Sequence, residues 1–207
     1  MNIFYPLIHA TFRPFLRIAR AGVLMSALLT SPNCFALWTG DVLGRDLNVP
    51  GLGWLGQIGM DAGESRWDAR NRRSISILLE VLNEGSVIVK STHLDFMSRS
   101  PLWGNGWLYE RYYASCERCN HDWRGVISAG WEQRNWSPSY TYSSRYTEGK
   151  MVRKNGTWVR QNAKFRCDGF VTYSYLKGLG RDVSRPLQTP RNVWQGFPYD
   201  YRWDGGV

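Results

Sequence analysis

Cys167 is the residue best suited to chemistry in this chain. It is reached through a basic, aromatic approach, Lys164-Phe165-Arg166-Cys167-Asp168-Gly169-Phe170. Beyond it, Phe170, Val171, Tyr173, Ser174 and Leu176 recur at spacings of three and four. That period predicts one apolar helical face, with Gly178 as the C-terminal stop. Cys167 then falls in or just before the first turn, where unpaired backbone N–H groups and the positive dipole end favour a thiolate. This is the recipe for a cysteine nucleophile; a buried structural cysteine on an amphipathic helix is the alternative.

The other cysteines sharpen the contrast. Cys34 lies in the N-terminal segment, and Cys116 and Cys119 form a C-x-x-C pair followed by His121. A short-range disulfide is the first reading of that pair. Structural zinc wants four ligands, which the spacing does not supply, and a thioredoxin-like role lacks the expected βαβ context. With Cys116 and Cys119 joined, Cys167 is the odd thiol of an exported chain, a sign of reactivity. No cofactor and no metal site is read from the sequence.

Export is expected from the first 36 residues. They carry Arg13, Arg17 and Arg20 without an acid, then an apolar run from Ala21 to Leu29, then small residues at Cys34 and Ala36. The pattern reads as a secretory signal cleaved after Ala36, with an uncleaved anchor as the alternative. The run is short for a membrane span. Residues 37–207 are then one domain, secreted or periplasmic. The net charge of +9 falls to +6 once those three arginines are set aside. The surplus is scattered, and no nucleic-acid motif accompanies it, so nucleic acid is not read as a partner. Attraction to an anionic cell-envelope surface is the simpler consequence. The 11 Trp and 11 Tyr suit a core or a sugar- or peptide-binding groove equally.

Several elements have to position Cys167. Thr39-Gly40-Asp41-Val42-Leu43 reads as a turn into a short strand, and residues 50–61 as glycine-rich, then strand-like. Gly63 to Arg73 reads as a polar loop. Ile75–Leu82 and Val87–Lys90 read as the arms of a hairpin turned by Asn83-Glu84-Gly85-Ser86. Ser91-Thr92 is placed to cap a short helix from His93 to Met97. Between 105 and 162 the signals are weak: Gly125–Trp131 suits a strand or a helix, and Ser137–Glu148 strands or a surface groove. Asn135-Trp136-Ser137 and Asn155-Gly156-Thr157 are formal glycosylation sequons. The proline-bearing tail from Arg181 is expected to wrap without forming elements.

Four pieces follow one another in a telling order: Gly40-Asp41-Val42, Gly56-Gln57-Ile58-Gly59, Leu79-Glu80-Val81-Leu82-Asn83, and Arg166-Cys167-Asp168-Gly169-Phe170-Val171. Over about residues 39–178 this order resembles the papain-like cysteine peptidases and amidases of the NlpC type. The circular permutation is the one shared with the lecithin retinol acyltransferase group. The resemblance implies an α+β, papain-like fold in which a cysteine-bearing helix packs on a small antiparallel sheet. It implies Cys167 as the nucleophile, a strand histidine as the base, and Glu80 as a candidate to orient that base. The family's histidine position, the second of Gly-His-Ile-Gly, is Gln57 here. Glutamine does not titrate, and positioned acid–base help is typically worth about 10²–10⁴-fold. His93 and His121 are the remaining histidines outside the N-terminal segment, and His93 is the substitute base that the sequence offers.

The leading expectation is an exported cysteine amidase or peptidase acting on peptidoglycan or another peptide or amide substrate. The alternatives are a catalytically inactive binding or regulatory module of the same fold, and an acyltransferase or thioesterase acting on lipids.

Overall fold

The computed structural model describes residues 37–47, 55–108, 117–143 and 145–202, without the side chains of 117–122, 199 and 201. The expected signal with Cys34, the glycine-rich 50–54, Cys116, and the side chains of Cys119 and His121 lie outside the described residues.

Alternating burial builds the first half. Strand β1, Val42–Arg45, is followed by β2, Gln57–Asp68; β3, Arg73–Val81; and β4, Ile88–Thr92. Together they form an antiparallel meander. The Asn83–Ser86 turn sits where the sequence predicts it, closed by Leu82 N–H donating to the Val87 carbonyl at 2.8 Å. The segment 63–73, expected to be a loop, is instead the projecting end of the β2–β3 hairpin. Its side chains are polar because both faces meet water, which erased the period-two signal. Thr92 caps helix α1, His93–Ser98, accepting from Asp95 N–H at 3.1 Å.

Strand β5, Leu102–Trp107, then pairs with β1, and β10, Tyr199–Arg202, pairs with β5. The resulting six-stranded sheet has the order β10-β5-β1-β2-β3-β4, antiparallel throughout. The tail from Arg181 therefore does form elements. Helix α4, Pro190–Gln195, is capped by Thr189 with proline in its first turn, where the missing N–H costs nothing.

Helix α2, Glu117–Glu132, and helix α3, Cys167–Leu179, complete the core. The ambiguous Gly125–Trp131 run is the C-terminal part of α2. Two small pairings lie between these helices in the chain, apart from the six-stranded sheet: β6, Ser139–Tyr140, runs parallel to β9, Lys164–Phe165. β7, Lys150–Lys154, and β8, Thr157–Gln161, form a separate hairpin.

The α3 residues from Cys167 to Tyr175 are all buried, so this part of the helix is enclosed on every side where a single apolar stripe was expected, and Leu176, expected on that stripe, is exposed. Its stop is Gly180, at φ +65°, and not Gly178. Gly178 lies inside the helix where α3 crosses α2; a Cβ there would come within 2.3 Å of Val126 N. Val42, Ile58, Met60, Leu79, Val81 and Ile88 join Phe165, Phe170, Val171 and Tyr175 in the main core. Leu43 and Leu78, from the opposite face of the sheet, pack with Phe96 of α1. The architecture is α+β, with an antiparallel sheet and a few helices.

Candidate functional site

Cys167 is the first residue of α3, following Arg166 in extended conformation, and it is 1% exposed. Placement in the first helical turn is as the sequence predicts. Burial pushes its thiol up to about 12, and the adjacent Asp168 carboxylate adds to the rise. The backbone N–H groups of Ile58 and Asp168, and the Arg166 guanidinium, act in the other direction without cancelling it. A thiol in that state is almost entirely protonated at neutral pH, and the thiolate is the nucleophile.

Arg166 and Asp168 clasp the cysteine from its two sides. Arg166 Nε donates to Asp168 Oδ1 and Nη2 to Oδ2, each at 2.6 Å, a bidentate pair with the carboxylate fully buried. Arg166 also donates to the carbonyls of Gln188, at 2.7 Å, and Tyr142, at 3.1 Å. Asp168 in the first turn is favourable beside the helix N-terminus. This clasp escaped the sequence reading, although the Arg-Cys-Asp triplet at a predicted helix start was the signal for it. Gln188, from the tail, also donates to Thr172 Oγ1 at 3.0 Å. An open cavity of about 370 Å³ adjoins this side of α3, lined by Arg145, Tyr146, Thr172, Ser184 and Gln188.

Gln57 is buried at the start of β2, beside Ile58, whose N–H reaches the thiol. Its side-chain Nε2 donates to the Val81 carbonyl at 2.8 Å. The β2–β3 ladder ends at Gly59 opposite Glu80, so the glutamine amide supplies a further rung where backbone pairing stops.

Glu80 is fully buried but belongs to the α1 side of the sheet. Along β3, Leu79 and Val81 enter the core that holds Cys167, while Leu78 packs against Phe96. A Cβ built on Gly59 would lie 3.4 Å from the Glu80 Cβ and 3.5 Å from the Phe96 ring, which fixes Glu80 on that second face. Its Oε1 accepts from the Ser91 hydroxyl and from Arg99 Nη1 at 3.0 Å. The carboxylate therefore ties β3 to β4 and to the end of α1; the partners it orients are a serine and an arginine.

His93 opens α1, and burial lowers its pKa. The ladders carry Gly59, next to Ile58, across to Glu80 and then to Val89. His93 is four residues further on, roughly 13 Å along the strand direction and two strands over. A proton relay from Cys167 to His93 has no short path. The sequence-predicted residues therefore divide: Cys167 reaches the Ile58 N–H, next along the backbone from Gln57, whereas Glu80 and His93 serve the neighbourhood of α1.

A second polar cluster was not anticipated. Asp41, just before β1, lies opposite Asp61 of β2, with Asp61 N–H donating to the Asp41 carbonyl at 2.8 Å. Both are buried, and Asn105 Nδ2 donates to Asp41 Oδ2 at 3.4 Å. Burial pushes the Asp61 carboxyl up to about 6; the Gly63 N–H opposes the rise and Asp41 adds to it.

Comparison with family models, with curated proteins and with solved structures gives no match in any of the three.

Proposed function

We propose that this chain is a papain-like module of the permuted NlpC type that has kept the cysteine helix and lost hydrolysis. It holds a peptide or other amide ligand without cleaving it. One observation carries the reading: the Cys167 thiol is enclosed, with its pKa pushed up by burial, and Gln57, at the family's histidine position, spends its amide on the Val81 carbonyl and cannot take a proton. The open cavity along α3, with Arg145, Tyr146 and Gln188 on its wall, offers the hydrogen-bonding groups that an amide chain needs. In this reading the Arg166–Asp168 clasp anchors the helix start, and the sulfur fills space there.

A second reading, an exported cysteine amidase acting on peptidoglycan, rests on the backbone N–H groups of Ile58 and Asp168 directed at the sulfur. Such donors favour a thiolate and would serve an oxyanion.

The full chain decides between them when incubated with soluble peptidoglycan fragments. The expected result is retention of fragments at equilibrium with no release of amine. Cys167 should also alkylate with iodoacetamide at pH 8 at least a hundredfold more slowly in the folded chain than in urea. Release of amine that Cys167→Ala abolishes overturns the proposal in favour of the amidase. Gln57→His then asks whether the base alone is missing: hydrolysis gained by that change shows a site otherwise intact.

A further inference from the structure

The β7–β8 hairpin stands apart from the six-stranded sheet and carries an unusual surface. From Gly149 to Gln161 it has four cations, Lys150, Arg153, Lys154 and Arg160, and no acid. Lys150 is taken up by Glu148 at 2.8 Å. Arg160 lies over the Trp136 ring at 5.4 Å and donates to the Asn135 carbonyl. Arg153 and Lys154 make no ion pair among the described residues. The register sets Met151 opposite Arg160 and Arg153 opposite Trp158. Side chains directly across from each other share a face, so Met151, Arg153, Trp158 and Arg160 line one side. Trp158 is 64% exposed and Met151 47%. They are diagonal neighbours, close enough to form a continuous apolar strip between two arginines.

We propose that this hairpin docks on the headgroup region of a bilayer carrying anionic phospholipids. The occupant follows from charge and shape together. Cations without acids are attracted to an anionic leaflet, and an indole beside a methionine fits the boundary between headgroups and acyl chains. A strand of nucleic acid would need successive aromatic platforms, and this face offers one ring followed by a thioether. The surface is separate from Cys167, so the proposal stands whether or not the chain hydrolyses anything.

The test is co-sedimentation of the full chain with vesicles of phosphatidylcholine, with and without phosphatidylglycerol. Any contribution from residues 1–36 is common to all variants, so the difference between variants isolates the hairpin. Binding is expected to require phosphatidylglycerol. Arg153→Ala with Lys154→Ala should weaken it about 25-fold, at about fivefold per removed charge. Trp158→Ala should weaken it about tenfold. All three residues are exposed, and unchanged thermal melts verify that the variants fold. Two results overturn the proposal. One is vesicle binding indifferent to these substitutions. The other is loss of charge-dependent binding with Trp158→Ala neutral and single-stranded DNA retained as tightly as vesicles, which marks a general polyanion surface.

Discussion

Asp61 shows how a single carboxyl records its surroundings. Its ordinary value is 3.8 and burial raises it to about 6 in the folded chain. A group raised on folding contributes stability that is complete below its unfolded value and is lost as pH rises through its folded value. For Asp61 the loss falls between pH 3.8 and about 6 and amounts to on the order of 2–3 kcal/mol. Asp61→Asn removes that dependence. Its melting temperature should match or trail the parent at pH 4 and exceed it at pH 7; thermal melts across that range check the outcome, and a constant difference at every pH would sink it. The Gly40-Asp41-Val42 opening was legible in the sequence, but its buried partner was not. Asp61 sits in a run whose register only the strand pairing fixes, and a shift of one residue would have sent it to the other face. Glu80 was legible as a polar residue in a β-rich run, read as a candidate to orient a base. Its partners Ser91 and Arg99 were not, because they meet it across β4 and from the end of α1.

At the scale of elements, the crossing of α2 and α3 rests on glycine contact. Gly178→Ala drives a Cβ into the Gly125–Val126 backbone, where nothing flexible can yield. Gly180→Ala meets nothing within 4 Å and is strained only by φ +65°. Urea unfolding should show a loss of about 3 kcal/mol or more for Gly178→Ala, comparable to other severe overpacking. For Gly180→Ala the loss should be about 1 kcal/mol. Equal losses would mean that the helices separate easily. The sequence located α3 well because its apolar residues are dense, but density also hid which glycine ends it. The β7–β8 hairpin shows the converse. Asn155 and Gly156, both at positive φ, are the turn signal that the two-residue hairpin requires. It was readable, yet the flanking strands carry no buried face to announce themselves.

The sheet order governs the molecule as a whole. β1 is central although it comes early, flanked by β2 and by β5, and β10 closes the far edge. Val42, Ile58, Met60, Leu79, Val81 and Ile88 find their cover in helices that follow much later. A chain terminated after Gln161 keeps the meander and α2 but loses α3, α4 and β10. It should bind the dye ANS and melt without a cooperative transition, as an expanded state with exposed apolar surface does. A sharp transition in that fragment would show that α3 is dispensable for packing. Strands β1, β3 and β4 and helix α3 were legible in the sequence, whereas β10 was missed because its partner β5 lies more than ninety residues earlier on the chain.

The late arrival of α3 has a consequence during translation. The β1–β4 meander leaves the ribosome well before Cys167, and at about 5–20 residues per second α3 follows only seconds later. Through that interval one face of a four-stranded sheet is bare and apolar. A nascent chain of this topology is a natural client for a holding chaperone, and slowed elongation between Thr92 and Cys167 would lengthen its exposure to aggregation.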